Sequence, residues 1–185
     1  MKCRMKTAGL IAALVIIVGA AVIISNESNA QEKTYKIGDK GPAGGWIFYD
    51  KGSYSDGWRY LEAAPVGQGR AAWGYKNKSI PVTQKTAIGS GKINTQAIIE
   101  NCGEANIAAK LCTAYRGGGK SDWFLPSKDE LNLMCTNLDK LGLAASYWSS
   151  SEGNAQLVWV CDFGNCEPQT CEKDDYMHVR AARAF

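Results

Sequence analysis

The side chains best suited to chemistry lie near the C-terminus of this 185-residue chain. Cys161, Cys166, Cys171 and His178 form a Cys₃His series with gaps of four, four and six residues. Ligand gaps in structural zinc sites usually run from about two to five, and an exported chain oxidises thiols rather than reserving them for metal. Zinc is therefore not expected here. Asp162, Asp174 and Asp175 supply hard oxygen ligands of the kind calcium takes, to be completed by loop carbonyls. No cofactor is expected, and calcium is the ion these acids would suit best. His178 is the only histidine, and no Ser-His-Asp or Cys-His arrangement follows from spacing, so no catalytic residue is assigned. The other notable supply is aromatic: six tryptophans and eight tyrosines, flat faces on which a sugar ring can stack.

The cysteines have meaning only with a compartment. Lys2, Arg4 and Lys6 precede an uncharged run from Thr7 to Ile24, and Ser28 and Ala30 stand at the −3 and −1 places of a cleavage site. The pattern predicts a secretory signal over 1–30. Its alternative is an uncleaved anchor, since about 20 apolar residues span a bilayer, and membrane attachment is expected only in that case. Cys3 precedes the apolar run, which argues against a lipoprotein signal. Removing Lys2, Arg4, Lys6 and Glu27 takes the net charge from +3 to about +1. A near-neutral domain lacks the basic face that nucleic acid requires. The expected location is periplasmic, cell-surface or secreted.

Export makes Cys102, Cys112, Cys135, Cys161, Cys166 and Cys171 disulfide candidates, with fifteen possible pairings. On a helix over 104–115, Cys102 and Cys112 would stand about 15 Å apart, too far to bridge. Cys166 and Cys171 sit in a turn-rich stretch, and theirs is the pairing expected.

The elements that position these groups follow from periodicity. Residues 31–45 form a polar, Gly-rich lead-in, and the domain proper is 46–185. Trp46–Tyr49 and Trp58–Ala64 read as strands, and 66–94 as an aperiodic loop. Ile98, Cys102, Ala105, Ala109 and Cys112 fall at helical spacing from Thr95 onward, with a break at Gly103. Ser127-Lys-Asp-Glu130 is a capping box opening a helix over 127–139. Tyr147–Ser150, 155–163 and 177–182 read as strands, the last two joined by a polar hairpin loop over 164–175. Strands segregated from helices predict an α+β domain with an antiparallel sheet and two helices. Trp58, Trp123, Trp148 and Trp159 are expected in the core, and Trp73 and Tyr75 on an exposed platform.

Several segments together resemble the Lcl C-terminal-like family, named for the C-terminal domain of a bacterial collagen-like adhesin. They are Gly41–Asp50 (GPAGGWIFYD), Asp56–Pro65 (DGWRYLEAAP), Ser121–Leu131 (SDWFLPSKDEL), Tyr147–Glu152 (YWSSSE) and Val179–Phe185 (VRAARAF). The resemblance spans about 36–185. It implies a C-type-lectin-like fold with the N- and C-terminal strands paired, Trp46–Tyr49 against Val179–Arg183. It also implies a distant similarity to formylglycine-generating enzymes and to variable ligand-display proteins. In the adhesin the domain binds sulfated polysaccharides. This chain departs from the pattern in lacking a collagen-like region and in its close-set Cys161, Cys166 and Cys171, so the adhesin's trimeric surface is not carried over. Glu167-Pro168-Gln169 is similar to the carboxylate-proline-amide motif of true C-type lectins, but stands between the last two strands rather than before the strand of ligands.

These readings converge on an exported, adhesin-like binding domain for a glycan or a surface protein, with loops as the ligand surface. The loop 66–94 offers Arg70, Trp73, Tyr75, Lys76 and Lys78, suited to an anionic sugar. The loop 164–175 offers Asn165, Glu167, Gln169, Lys173 and Asp174, suited to hydroxyl groups. The alternatives are a formylglycine-generating-type oxidase using Cys161 with Cys166, or a metal-dependent enzyme, and then a structural component of the envelope.

Overall fold

The computed structural model describes residues 33–138 and 144–185. The signal or anchor expected over 1–30 lies outside the described residues, as do Leu141 and the last residue of the expected 127–139 helix. Residues 34–185 form one compact unit of mixed α and β structure, with three α-helices and two sheets among the described residues. No helix among the described residues is long and apolar enough to cross a membrane.

Strands β1 (Trp46–Ser55) and β2 (Trp58–Ala63) form an antiparallel hairpin. Its two-residue turn is Asp56-Gly57, with φ of 52° and 82°. Both central residues have positive φ, the condition under which the turn's twist matches that of its strands. Strand β8 (Ala182–Ala184) adds to the other edge of β2, in the order β1-β2-β8. The expected pairing of Trp46–Tyr49 with the C-terminal segment is thus corrected. So tight a turn makes β1 and β2 neighbours, and the C-terminus joins β2 instead.

The second sheet runs β3-β7-β4-β5-β6, from β3 (Arg70–Ala71), β4 (Ser146–Glu152), β5 (Leu157–Asp162), β6 (Glu167–Glu172) and β7 (Met177–His178). Its pairings are antiparallel except β4 with β7, which meet in parallel at Tyr147 and His178. This departs from an all-antiparallel sheet. The expected loop 164–175 contains β6, which pairs with β5 along its whole length. The strand escaped notice because it forms the sheet edge and is exposed at almost every position, so it carries no alternation. Pro168 and the charges of Glu167 and Glu172 suit an edge, where they discourage pairing with a further strand.

Helix α1 spans Gly91–Asn101, α2 Ala108–Ala114 and α3 Lys128–Asn137. The break expected near Gly103 separates α1 from α2, giving three helices rather than two, and α1 starts within the stretch read as loop. At the start of α3, Ser127 Oγ accepts from Glu130 N at 3.3 Å, and Glu130 Oε2 accepts from Ser127 N at 2.7 Å. Leu131, Met134 and Cys135 then face inward against Phe48, Leu61 and Cys161. A second apolar cluster joins α1 and α2 to Trp73, Trp148, Val158 and Val160. Trp123 and Trp148 are buried as expected. Trp58 and Trp159 are only half-buried, each with a lysine over its ring: Lys51 at 4.0 Å and Lys128 at 4.2 Å.

Candidate functional site

Three buried glutamates fix the irregular segments. Glu62 accepts from Gly45 N (2.7 Å) and Ala43 N (3.1 Å), and pairs with Arg183, which also holds Asp122 at 2.9 Å. Glu152 accepts from Ile80 N (3.0 Å) and Ser79 Oγ (2.6 Å), and pairs with Lys173. Glu130 accepts from Gly89 N (2.8 Å) and Ser127 N, with no cation bound to it among the described ion pairs. Its burial outweighs these hydrogen bonds and pushes its carboxyl above the ordinary glutamate range.

This scaffold separates the ten residues expected to bind ligand. Trp73 is fully buried and donates from Nε1 to Ser149 O at 3.0 Å, so it is no exposed platform. An aromatic in an irregular stretch is here a core residue, because the stretch is folded down over β4. Lys173 is equally enclosed, lying 4.7 Å from the Trp73 ring centre and donating to Lys78 O at 2.5 Å. It holds the loop from beneath and offers nothing to a ligand. Tyr75 is half-buried under Lys78, 5.2 Å away. Exposed Lys76 pairs with Asp174 and, at 3.6 Å, with Glu172. Arg70 donates to Tyr176 O at 2.5 Å. The structure thus gathers Tyr75, Lys76, Lys78 and Asp174. Asn165 and Glu167 bond to each other at the opposite end of β6, about 16 Å away at the rise of a strand, with Gln169 along it.

The expected Cys166–Cys171 pairing is also corrected: the disulfide joins Cys135 to Cys166, with Cα atoms 5.6 Å apart. Cys171 lies on β6, and five residues of extended chain hold it out of reach of Cys166. Cys102, Cys112, Cys161 and Cys171 are free thiols. Cys161 is buried, and its thiol is pushed up to about 11 by burial and then by Asp162. A bonded Cys166 and a protonated Cys161 are not the reactive pair that an oxidase would need. Among the described residues no group of three or more His, Cys, Asp or Glu is placed to hold a metal ion.

The concave surface lies elsewhere, around the start of α1. One cavity of about 400 Å³ opens between the β1–β2 turn, Gly89 and α1. Trp58, Leu61 and Phe124 give it apolar walls, while Asp56, Lys92 and Glu130 supply polar groups. A smaller hollow of about 150 Å³ continues past Phe124 and Lys92 to Thr113, Ser121 and Asp122. Apolar walls beside hydroxyl, carboxylate and ammonium groups can seat a small polar ligand and fix its orientation. Sequence reasoning missed these residues. It read Asp56-Gly57 as a turn only and Trp58 as core, and it ended the aperiodic loop at residue 94, past Lys92. Comparison with protein-family models gives no match, and comparison with curated proteins gives none.

Proposed function

We propose that the chain is an exported ligand-binding domain of C-type-lectin-like fold, taking a carbohydrate in the cleft beside the β1–β2 turn. The lectin-like reading draws support from the chain ends only in that β1 and β8 share one sheet, on either side of β2 rather than paired with each other. A disulfide between Cys135 and Cys166 is compatible with export, since such bonds persist in oxidising compartments.

The observation that carries the binding reading is the cleft's composition. Trp58 presents a partly accessible indole beside Asp56 and Lys92, while Ser121 and Asp122 line the adjoining smaller hollow. An indole surface for the apolar face of a sugar, next to hydrogen-bonding groups for its hydroxyls, is the pairing a glycan requires. The cleft replaces Arg70, Lys76 and the β6 residues as the favoured surface.

The test is a glycan array probed with the protein as recovered from expression of the full chain, with and without calcium. Hits are then titrated against wild type and an Asp56→Asn/Trp58→Leu variant. Asparagine keeps the left-handed turn conformation accessible at position 56. A loss of at least about tenfold in affinity, about 1.4 kcal/mol, with a cooperative melt retained supports the cleft. Failure to bind any glycan, or unchanged affinity in the variant, rejects it.

A further inference from the structure

Helix α1 carries an outward stripe, of which the cleft engages only the end at Lys92 and Ile93. Lys92, Ile93, Gln96 and Glu100 are all exposed on its outer side, while Asn94, Thr95 and Ile98 point inward. Beside the stripe is a mainly apolar hollow of about 420 Å³, bounded by Val82, Ile93 and Ala97. Val82, Ile88 and Ile93 are 42 %, 37 % and 53 % exposed, so three of the seven large hydrophobics exposed among the described residues fall within this short stretch. Exposed apolar side chains gathered at an apolar hollow, as Val82 and Ile93 are here, are a feature of interaction sites.

The charges identify the occupant. Lys92 stands near one end of the stripe and Glu100 near the other, about 12 Å apart at the helical rise. Gln96 lies midway and donates to Glu100 Oε1 at 2.7 Å, holding that carboxylate along the stripe. Rotating the pattern by half a turn about Gln96 superposes lysine on glutamate. A stripe that complements its own rotated image is the mark of an isologous contact.

We propose that this face binds a second copy of the chain, with α1 packed antiparallel on α1 about a twofold axis at Gln96. Lys92 of each copy then faces Glu100 of the other, and Ile93 enters the hollow beside Ala97 of the other copy. The small Ala97 side chain lets the helices approach within the usual 8–10 Å. A parallel arrangement would instead set lysine against lysine. One helix and its flanking turn make a contact below the roughly 800 Å² per partner of a standard interface, so the association is concentration-dependent and weak. The inference does not rest on the ligand reading.

Charge reversal tests it, with sedimentation velocity across about a hundredfold range of concentration on the protein recovered from expression of the full chain. Wild type is expected to form dimers reversibly. Lys92→Glu and Glu100→Lys are each expected to weaken the dimer at least about tenfold, because the first variant sets acid against acid at both ends of the contact and the second sets base against base. Mixing the two variants is expected to restore dimers, and so is the double exchange in a single chain. Both positions are exposed, so folding should survive, and melting curves check this directly. A wild type that stays monomeric throughout, single variants that associate like wild type, or a mixture that stays monomeric overturns the proposal.

Discussion

Breaking the Cys135–Cys166 bond tests the described architecture most directly, because the bond contradicts the pairing that spacing suggested. It ties the last turn of α3 to the turn before β6 and closes a loop of 31 residues. Chain-entropy arithmetic for that loop gives about 3.7 kcal/mol of stabilisation at 25 °C. In a unit of about 150 residues each kcal/mol moves the melting temperature by about 2–4 °C, so reduction should lower it by roughly 7–15 °C. Cys166→Ser should give a similar loss, since it removes the same cross-link. The assay is thermal unfolding of oxidised, reduced and Cys166→Ser protein, with peptide mapping after alkylation under denaturing conditions. Cys135 and Cys166 should be recovered joined, and Cys102, Cys112, Cys161 and Cys171 alkylated. Recovery of a Cys166–Cys171 peptide, or a melting temperature indifferent to reduction, would refute the reasoning.

Three further outcomes are expected. Trp73→Ala should destabilise the fold by about 3–5 kcal/mol in urea unfolding, as loss of a buried indole does; a near-neutral result would return Trp73 to the surface. Lys173→Met should cost about 3–5 kcal/mol by leaving Glu152 charged and buried, and adding Glu152→Gln should recover part of that loss; no recovery would mean the two do not act as a pair. The raised carboxyl of Glu130 binds its proton more tightly in the folded state than in the unfolded one. Its stabilising contribution is therefore fullest below the ordinary glutamate value and is lost as pH rises through the raised folded value. Stability measured against pH should show that decline in wild type and a flatter course in Glu130→Gln; parallel curves would count against it.

What could be read from sequence was whatever a local rule determines. The capping box of Ser127 and Glu130 fixed the start of α3, because its four residues contain both hydrogen bonds. Asp56-Gly57 marked the β1–β2 turn for the same reason. Strand β6 was hidden, since an exposed edge strand has no buried side to impose alternation. Trp73 and Lys173 were misplaced because their burial depends on partners far along the chain, Ser149 for one and Glu152 for the other. The same distance hid the cleft, which Trp58, Lys92 and Phe124 form only once the elements are packed. The Cys135–Cys166 bond likewise needs α3 and the β5–β6 turn to be adjacent, which no count of cysteines reveals.

The buried glutamates have an evolutionary consequence. At Ala43, Ile80 and Gly89 each grips its loop by a main-chain N–H, an atom that every residue except proline carries. The course of these loops is therefore largely indifferent to their side chains, and their outer positions can be exchanged without loosening the attachment. The exceptions are steric. A Cβ at residue 45 would come within 2.1 Å of Ala63 O, and one at residue 91 within 2.2 Å of Glu130 Oε2, so both positions must remain glycine. Between such fixed points the surface is free to diverge while the same framework is inherited.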